Sequence, residues 1–180
     1  DGVAKNGGCD AFLVKFNSSG VKLWTKLLGN TSNDLALGTA TDGAGNVYVT
    51  GYTGSTVIFG NATAGGQDAF VARLDRSTGA VVWARLLGTS SSEIALGVAT
   101  DSVGSVYIMG KTSGQLGGQS NQGNFDTFVA KYDSNGNLLW VLLQQSHELD
   151  SLYVANDAGR MLMVQRYPEV AVRHIVRESD

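Results

Sequence analysis

Short runs of alternating apolar and polar residues, separated by glycine- and asparagine-rich turns, follow one another along the chain and predict strands. In residues 70–74 (FVARL), Phe70, Ala72 and Leu74 face one way, and Val71 and Arg73 the other. Phe12, Val14 and Phe16 stand against Leu13 and Lys15 in the same manner, as do Phe128, Ala130 and Tyr132 against Val129 and Lys131. Residues 47–51 (VYVTG) and 106–110 (VYIMG) are β-branched and aromatic, and each run follows a glycine-containing turn. Residues 34–41 (DLALGTAT) and 93–100 (EIALGVAT) are nearly the same apolar run written twice. A fourth kind of strand runs through Trp24, Trp83 or Trp140 and ends at Leu27-Leu28-Gly29, Leu86-Leu87-Gly88 or Leu142-Leu143-Gln144. No segment carries a convincing period of about 3.6 residues, so no helix is predicted.

The runs recur. Asp10, Asp68 and Asp126 are each 58 residues apart, and the tryptophans are 59 and 57 apart. A long internal period means that one small unit is copied and stacked. Four short strands per unit predict an all-β fold of β-propeller blades, each a four-stranded antiparallel sheet. Ala36, Gly38 and Ala40 suit a crowded innermost strand, which leaves the Trp strand outermost with its indole between neighbouring blades. Each copy also places one cation, Lys15, Arg73 or Lys131, at the same strand position. The expectation for these is a solvated face, with the long stem covering an apolar neighbour.

Counting strands gives a partial blade over residues 1–29, blades at about 34–88 and 93–144, and a partial blade from 150. The repeat region is thus 1–159. Residues 160–180 diverge: four of the seven arginines lie there, Pro168 interrupts the run, and Met161 and Met163 enter strand positions. That segment reads as divergent terminal strands, a cap, or a junction to another domain or partner. The two halves and two wholes amount to three blade equivalents, whereas propellers typically close with about 4–8 blades. The sequence therefore calls for further blades or domains of a longer chain, or for other subunits of an assembly, with an isolated open array as the remaining alternative.

The pattern G-x-D-A-F-V-A-[KR]-x-D-x-x-G-x-x-x-W, followed by A-x-G-x-A-T-D-x-x-G-N-V-Y-V-T-G, is carried by residues 66–83 and 36–51, and again by 126–140. It resembles the SBBP repeat, a β-propeller family of secreted and cell-surface proteins, over roughly residues 8–157. The resemblance implies a propeller fold and an extracellular setting, and it brings no catalytic residue with it. Residues 74–83 (LDRSTGAVVW) are more weakly similar to the Trp motif of quinoprotein dehydrogenase propellers.

Composition narrows the chemistry. At 180 residues and 43 % hydrophobic the chain can bury a sizeable core. A net charge of −3, with its cations spread singly, gives no nucleic-acid surface. No apolar run approaches the roughly 20 residues of a membrane span. His147 and His174 are 27 residues apart and Cys9 is the single cysteine, so zinc-ligand spacing is lacking. Cys9 is expected as a free thiol, buried or at a strand edge, with a partner outside the chain as the alternative.

Gly110-Lys111-Thr112 ends like a phosphate-binding loop, but Ser105 stands where the leading glycine is needed, and residues 51–53 repeat the same strand exit. The turns at 42–46, 101–105 and 133–137 hold one carboxylate each, too few for calcium, and read as aspartate turns. Asp10, Asp68 and Asp126 read likewise as strand-start turn residues. Tyr48, Tyr107 and the tryptophans could serve as sugar platforms, but their recurrence at the blade period favours packing.

Three sequons, at Asn17, Asn30 and Asn61, fall in predicted turns or loops and mark sites for N-glycans. No catalytic, cofactor-binding or metal-binding residue emerges. The functional expectation is a non-catalytic structural or interaction module of an extracellular or cell-surface protein. A carbohydrate- or ligand-binding propeller is the alternative, and a propeller enzyme the weakest reading.

Overall fold

The computed structural model describes residues 5–144, 151–155 and 161–165. Every regular element among them is a strand: β1 (Ala11–Phe16), β2 (Lys22–Leu28), β3 (Asp34–Thr41), β4 (Val47–Thr53), β5 (Val57–Ile58), β6 (Asn61–Ala62), β7 (Asp68–Leu74), β8 (Val81–Leu87), β9 (Glu93–Thr100), β10 (Val106–Thr112), β11 (Asp126–Tyr132), β12 (Leu138–Gln144), β13 (Ser151–Ala155) and β14 (Met161–Gln165). Two four-stranded antiparallel sheets, β3-β4-β7-β8 and β9-β10-β11-β12, are the two whole blades. β1-β2 and β13-β14 are two-stranded sheets, the outer half of one blade and the inner half of another by their place in the repeat. The chain is therefore all-β and a partial propeller, as its period predicts.

The period-two pattern decides which sheet face meets which neighbour. Phe70, Ala72 and Leu74 pack back against Ala11, Leu13, Trp24 and Leu28 of the first half-blade. Their alternates Ala69 and Val71 pack forward with Tyr48, Trp83 and Leu87 onto Val106, Ile108, Phe128, Ala130 and Tyr132. Each junction is thus a separate apolar core, and full burial of one such Phe or Leu contributes roughly 1.5–3 kcal/mol.

The inner strands touch most closely. A Cβ on Gly38 would come within 3.1 Å of the Gly97 Cα in the next blade, so small residues are required on β3 and β9. β3 and β9 each bulge once, opposite Gly51 and Gly110 respectively. A Cβ on Gly51 would lie 1.8 Å from the Leu35 carbonyl oxygen, and on Gly110 1.9 Å from that of Ile94.

One element is absent from the strand pattern. β5 and β6 form a hairpin between β4 and β7, turning through Phe59 (φ 51°) and Gly60 (φ 78°). Two positive φ values in a two-residue loop make a tight hairpin turn, for which Asn-Gly is the usual signal. Phe59 gives no such signal, and it is held there by edge-on packing on Phe70 at 5.6 Å. Of the divergent segment, β14 is described, while residues 160 and 166–180 lie outside the described residues, as do His147 and His174.

Candidate interaction surface

The turns come first, because they carry the groups that join blade to blade. Asp42 Oδ1 accepts the backbone N–H of Ala44 (3.0 Å) and Asn46 (2.9 Å), and its Oδ2 accepts the Asn46 amide (2.7 Å) and the Tyr48 hydroxyl (3.0 Å). Asp101 does the same for Val103, Ser105 and the Tyr107 hydroxyl, and Asp133 for Asn135 and Asn137. Each carboxylate is spent on its own turn and, at Asp42 and Asp101, on a tyrosine of the strand that follows. Burial works against the charge of Asp42 and Asp101, but these bonds outweigh it and hold both carboxyls below the ordinary value. Burial and the Asp42 carboxylate push the Tyr48 hydroxyl up to about 12.

A tryptophan closes each junction. Trp24 donates its indole N–H to the Arg76 carbonyl (3.2 Å), and Trp83 to the Ser134 carbonyl (3.1 Å), in both cases on the outer turn of the next blade. The glycine ending that turn lies under the ring: a Cβ on Gly79 would sit 2.8 Å from Trp24, and on Gly136 2.8 Å from Trp83. Both glycines have positive φ, so the position demands glycine twice over. Arg85 reinforces the second junction, giving its Nε–H to the Gly136 carbonyl (2.8 Å). Tyr48 and Trp83, considered above as a sugar platform, are enclosed here, with ring centroids 6.0 Å apart.

The repeated cations do not line a solvated face. They are half-buried: Lys15 donates across a junction to the Arg76 carbonyl (2.5 Å), whereas within their own blades Arg73 donates to Asn46 Oδ1 (2.9 Å) and Lys131 lies 3.9 Å from Asp101 Oδ2. Lys131 also sets its ammonium over the Tyr107 ring, 4.9 Å from the centroid, a cation–π contact.

The strand-start aspartates do more than turn the chain. Asp68 Oδ2 accepts the Ala64 N–H (2.6 Å) and Asp126 Oδ2 that of Gln122 (2.9 Å), yet both residues are buried and their Oδ1 atoms have no hydrogen-bond partner. Gly88 makes the space, since a Cβ there would lie 2.4 Å from Asp68 Oδ1. Burial, with the Glu93 charge adding to it, raises the Asp68 carboxyl above its ordinary value. Glu93 itself is satisfied by Thr89 and Thr112. No group of three metal-ligating side chains occurs among the described residues.

The sequons divide. Asn17 is exposed in the turn after β1, where its Oδ1 accepts the N–H of Ser19 (3.0 Å) and Val21 (2.9 Å). Asn30 is half-buried in the loop after β2 and donates its amide to the Val57 carbonyl (2.9 Å). Asn61 is exposed, but opens strand β6 and is not in a loop. Cys9 is free and exposed before β1, so it is neither buried nor cross-linked within the chain.

The surface that stands out is the pair of end faces. Phe12 and Phe16 are 65 % and 57 % exposed, although the equivalent Phe70 and Leu74 are fully buried. At the other end Trp140 is 43 % exposed, against 9 % for Trp83. Comparison of the copies does not set Phe12 or Trp140 apart in the sequence, since the equivalent positions carry the same residues, Phe70 and Trp83.

Two segments, residues 23–59 and 82–118, match the family model of the SBBP β-propeller repeat. Each match runs from the Trp strand of one blade through the first two strands of the next, and so spans a junction. No curated protein matches the chain.

Proposed function

Because the chain carries SBBP β-propeller repeats, we propose that it is a non-catalytic structural and interaction module of an extracellular or cell-surface protein, contributing blades to a surface or filamentous assembly. The observation that supports this reading is the repeated joint between blades, in which Trp24 and Trp83 each close on the outer turn of the next sheet. Phe12, Phe16 and Trp140 are built like buried junction residues and stand exposed.

The interior offers little to chemistry. The turn aspartates and tryptophans that recur in every blade are engaged in turns and junctions, and the strand-start aspartates, whose Oδ1 atoms are unpaired, recur alike, whereas a reaction centre needs a unique constellation. Partners are further blades or domains of a longer chain, or other subunits, with N-glycans on exposed turns. The mass of the native particle tests this reading: it should exceed that of one chain with its glycans. A stable, closed monomer would end the assembly proposal.

A further inference from the structure

The loop between the second and third strands of each whole blade carries the same small hairpin, at residues 58–61 and 116–119. Ile58 pairs with Asn61 and Leu116 with Gln119. Both hairpins turn through two positive φ values, at Phe59 and Gly60 (51° and 78°) and at Gly117 and Gly118 (60° and 76°). Each lies equally far ahead of its strand-start aspartate, Asp68 or Asp126. Gln119 is therefore the counterpart of Asn61, and Gly117 that of Phe59. On the outer strands Trp83 and Trp140 set the register, so Ala84 corresponds to Val141 and Leu86 to Leu143.

In the second whole blade the hairpin closes the outer edge of β12. Gln119 donates its amide to the Val141 carbonyl (3.1 Å), and its Oε1 accepts the Leu143 N–H (3.2 Å). One carboxamide thus does what one residue of a parallel neighbouring strand would do, giving an N–H and taking one on either side of Leu142. Gly117 permits the approach, since its Cβ would lie 3.1 Å from that of Val141.

The first whole blade has neither device. Asn61 is one methylene shorter than Gln119 and gives its amide to the Phe59 carbonyl of its own turn (3.2 Å). Phe59 carries a ring where Gly117 has no side chain, and packs it on Phe70. An open cleft of about 430 Å³ lies between this hairpin and β8, walled by Phe59, Val82 and Ala84, with Lys26 and Leu27 of β2 opposite. The pair Phe70↔Leu86 repeats Phe128↔Leu143, so the Leu86 N–H points away from β7 as that of Leu143 points away from β11.

We propose that this cleft docks an extended peptide segment of a partner protein, which adds to β8 as a parallel strand. One residue of the segment straddles Arg85, giving its N–H to the Ala84 carbonyl and taking the Leu86 N–H on its own carbonyl. That is the bridge Gln119 makes on β12. The Ala84 carbonyl accepts the Arg85 guanidinium (2.8 Å) and keeps a second lone pair for the incoming N–H. Lys26 is the charged residue of the cleft, so the segment carries an acidic side chain to meet it. In strand addition the main-chain bonds supply affinity and the alternate side chains specificity. The inference rests on the interaction reading above and names one site and its partner.

Fluorescence anisotropy tests it, with a labelled, end-blocked heptapeptide Thr-Val-Glu-Val-Thr-Val-Glu as probe. The full chain is made without N-glycans, because a glycan on Asn61 would border the cleft. Saturable one-to-one binding is expected. N-methylation of alternate peptide residues should weaken it at least roughly tenfold on one edge of the peptide and leave it unchanged on the other. Asn61→Gln, which gives β8 an internal bridge, should weaken it roughly tenfold. Lys26→Glu should weaken the glutamate peptide and strengthen binding of the same peptide with Lys in place of Glu. That gain also shows that the variant is folded.

Absence of saturable binding, or binding indifferent to methylation on both edges and to both variants, would overturn the site. If the peptide does not bind while the native particle exceeds the mass of one chain, only the site fails. If the native particle is a closed monomer that binds the peptide as described, the assembly reading fails and the site stands.

Discussion

Trp83 donates its indole N–H to the Ser134 carbonyl 3.1 Å away, 51 positions further along the chain, while its ring covers Gly136. Side chain, turn glycine and carbonyl belong to two successive blades, so the contact fixes one sheet against the next. Trp24 repeats it on Arg76 and Gly79.

The energetic weight of the joint should lie in the ring and not in its N–H. Trp83→Ala is expected to cost about 3–5 kcal/mol, the usual range for emptying a buried aromatic site. Trp83→Phe, which keeps most of the packing but strands the Ser134 carbonyl, should cost about 1–3 kcal/mol. Urea unfolding separates them, and equal losses would mean that the hydrogen bond dominates.

Gly110→Ala should be among the most damaging single-methyl changes in the chain, since its Cβ would fall 1.9 Å from the Ile94 carbonyl oxygen at the β9 bulge. A loss above roughly 4 kcal/mol is expected. Gly43→Ala, with open space around it, should stay within about 0.5 kcal/mol. Thermal denaturation of the pair decides it.

Stability should fall at both ends of the pH scale through one turn. Tyr48 is raised from 10.0 to about 12, so its contribution is complete below pH 10 and is lost as pH rises through 12. Asp42 is lowered from 3.8, so its contribution is present above that value and is lost as pH falls through the lowered one. Tyr48→Phe should flatten the alkaline limb of a stability–pH curve relative to wild type. An unchanged alkaline limb would show that Tyr48 is not the group responsible.

Asp68 should behave oppositely to Asp42. Its carboxyl is raised, so its contribution is greatest below 3.8 and is lost as pH rises through the raised value. Asp68→Asn removes the buried charge while keeping an oxygen for the Ala64 N–H. The stability of wild type minus that of the variant should therefore decline between acid and neutral pH. Guanidinium unfolding at several pH values reads this, and a rising difference would contradict the burial argument.

In a glycosylating secretory host, Asn17 and Asn61 should be occupied, because both are exposed. Asn30 should be poorly occupied, since it is half-buried and its amide reaches across to the Val57 carbonyl, whereas the Asn61 amide bonds only the neighbouring Phe59 carbonyl of its own exposed turn. Intact mass before and after glycosidase treatment, with each asparagine replaced by Gln, assigns the sites. Preferential occupancy of Asn30 would contradict the geometry.

The strands were legible because alternation is a local property: Phe70, Ala72 and Leu74 announce one sheet face without reference to anything distant. The blade was legible because the same local pattern returns after 58 residues. The β5–β6 hairpin was not, since Phe59 keeps its positive φ only through Phe70, which lies eleven positions away. The cations misled for the same reason. Lys15 looks like a surface residue in sequence, and only the stacking of sheets brings the Arg76 carbonyl to meet it, while Arg73 meets Asn46 only because β4 and β7 pair in one sheet.

The sequence by itself determined the all-β character, the four-strand unit, its copying, and the roles of the turn aspartates, because each depends on residues a few positions apart. Which faces are buried and which stand open was decided only by the tertiary structure. Phe12 and Phe70, or Trp140 and Trp83, are equivalent as letters. They differ because burial belongs to a pair of surfaces, and among the described residues the second one meets Phe70 and Trp83 but leaves Phe12 and Trp140 exposed.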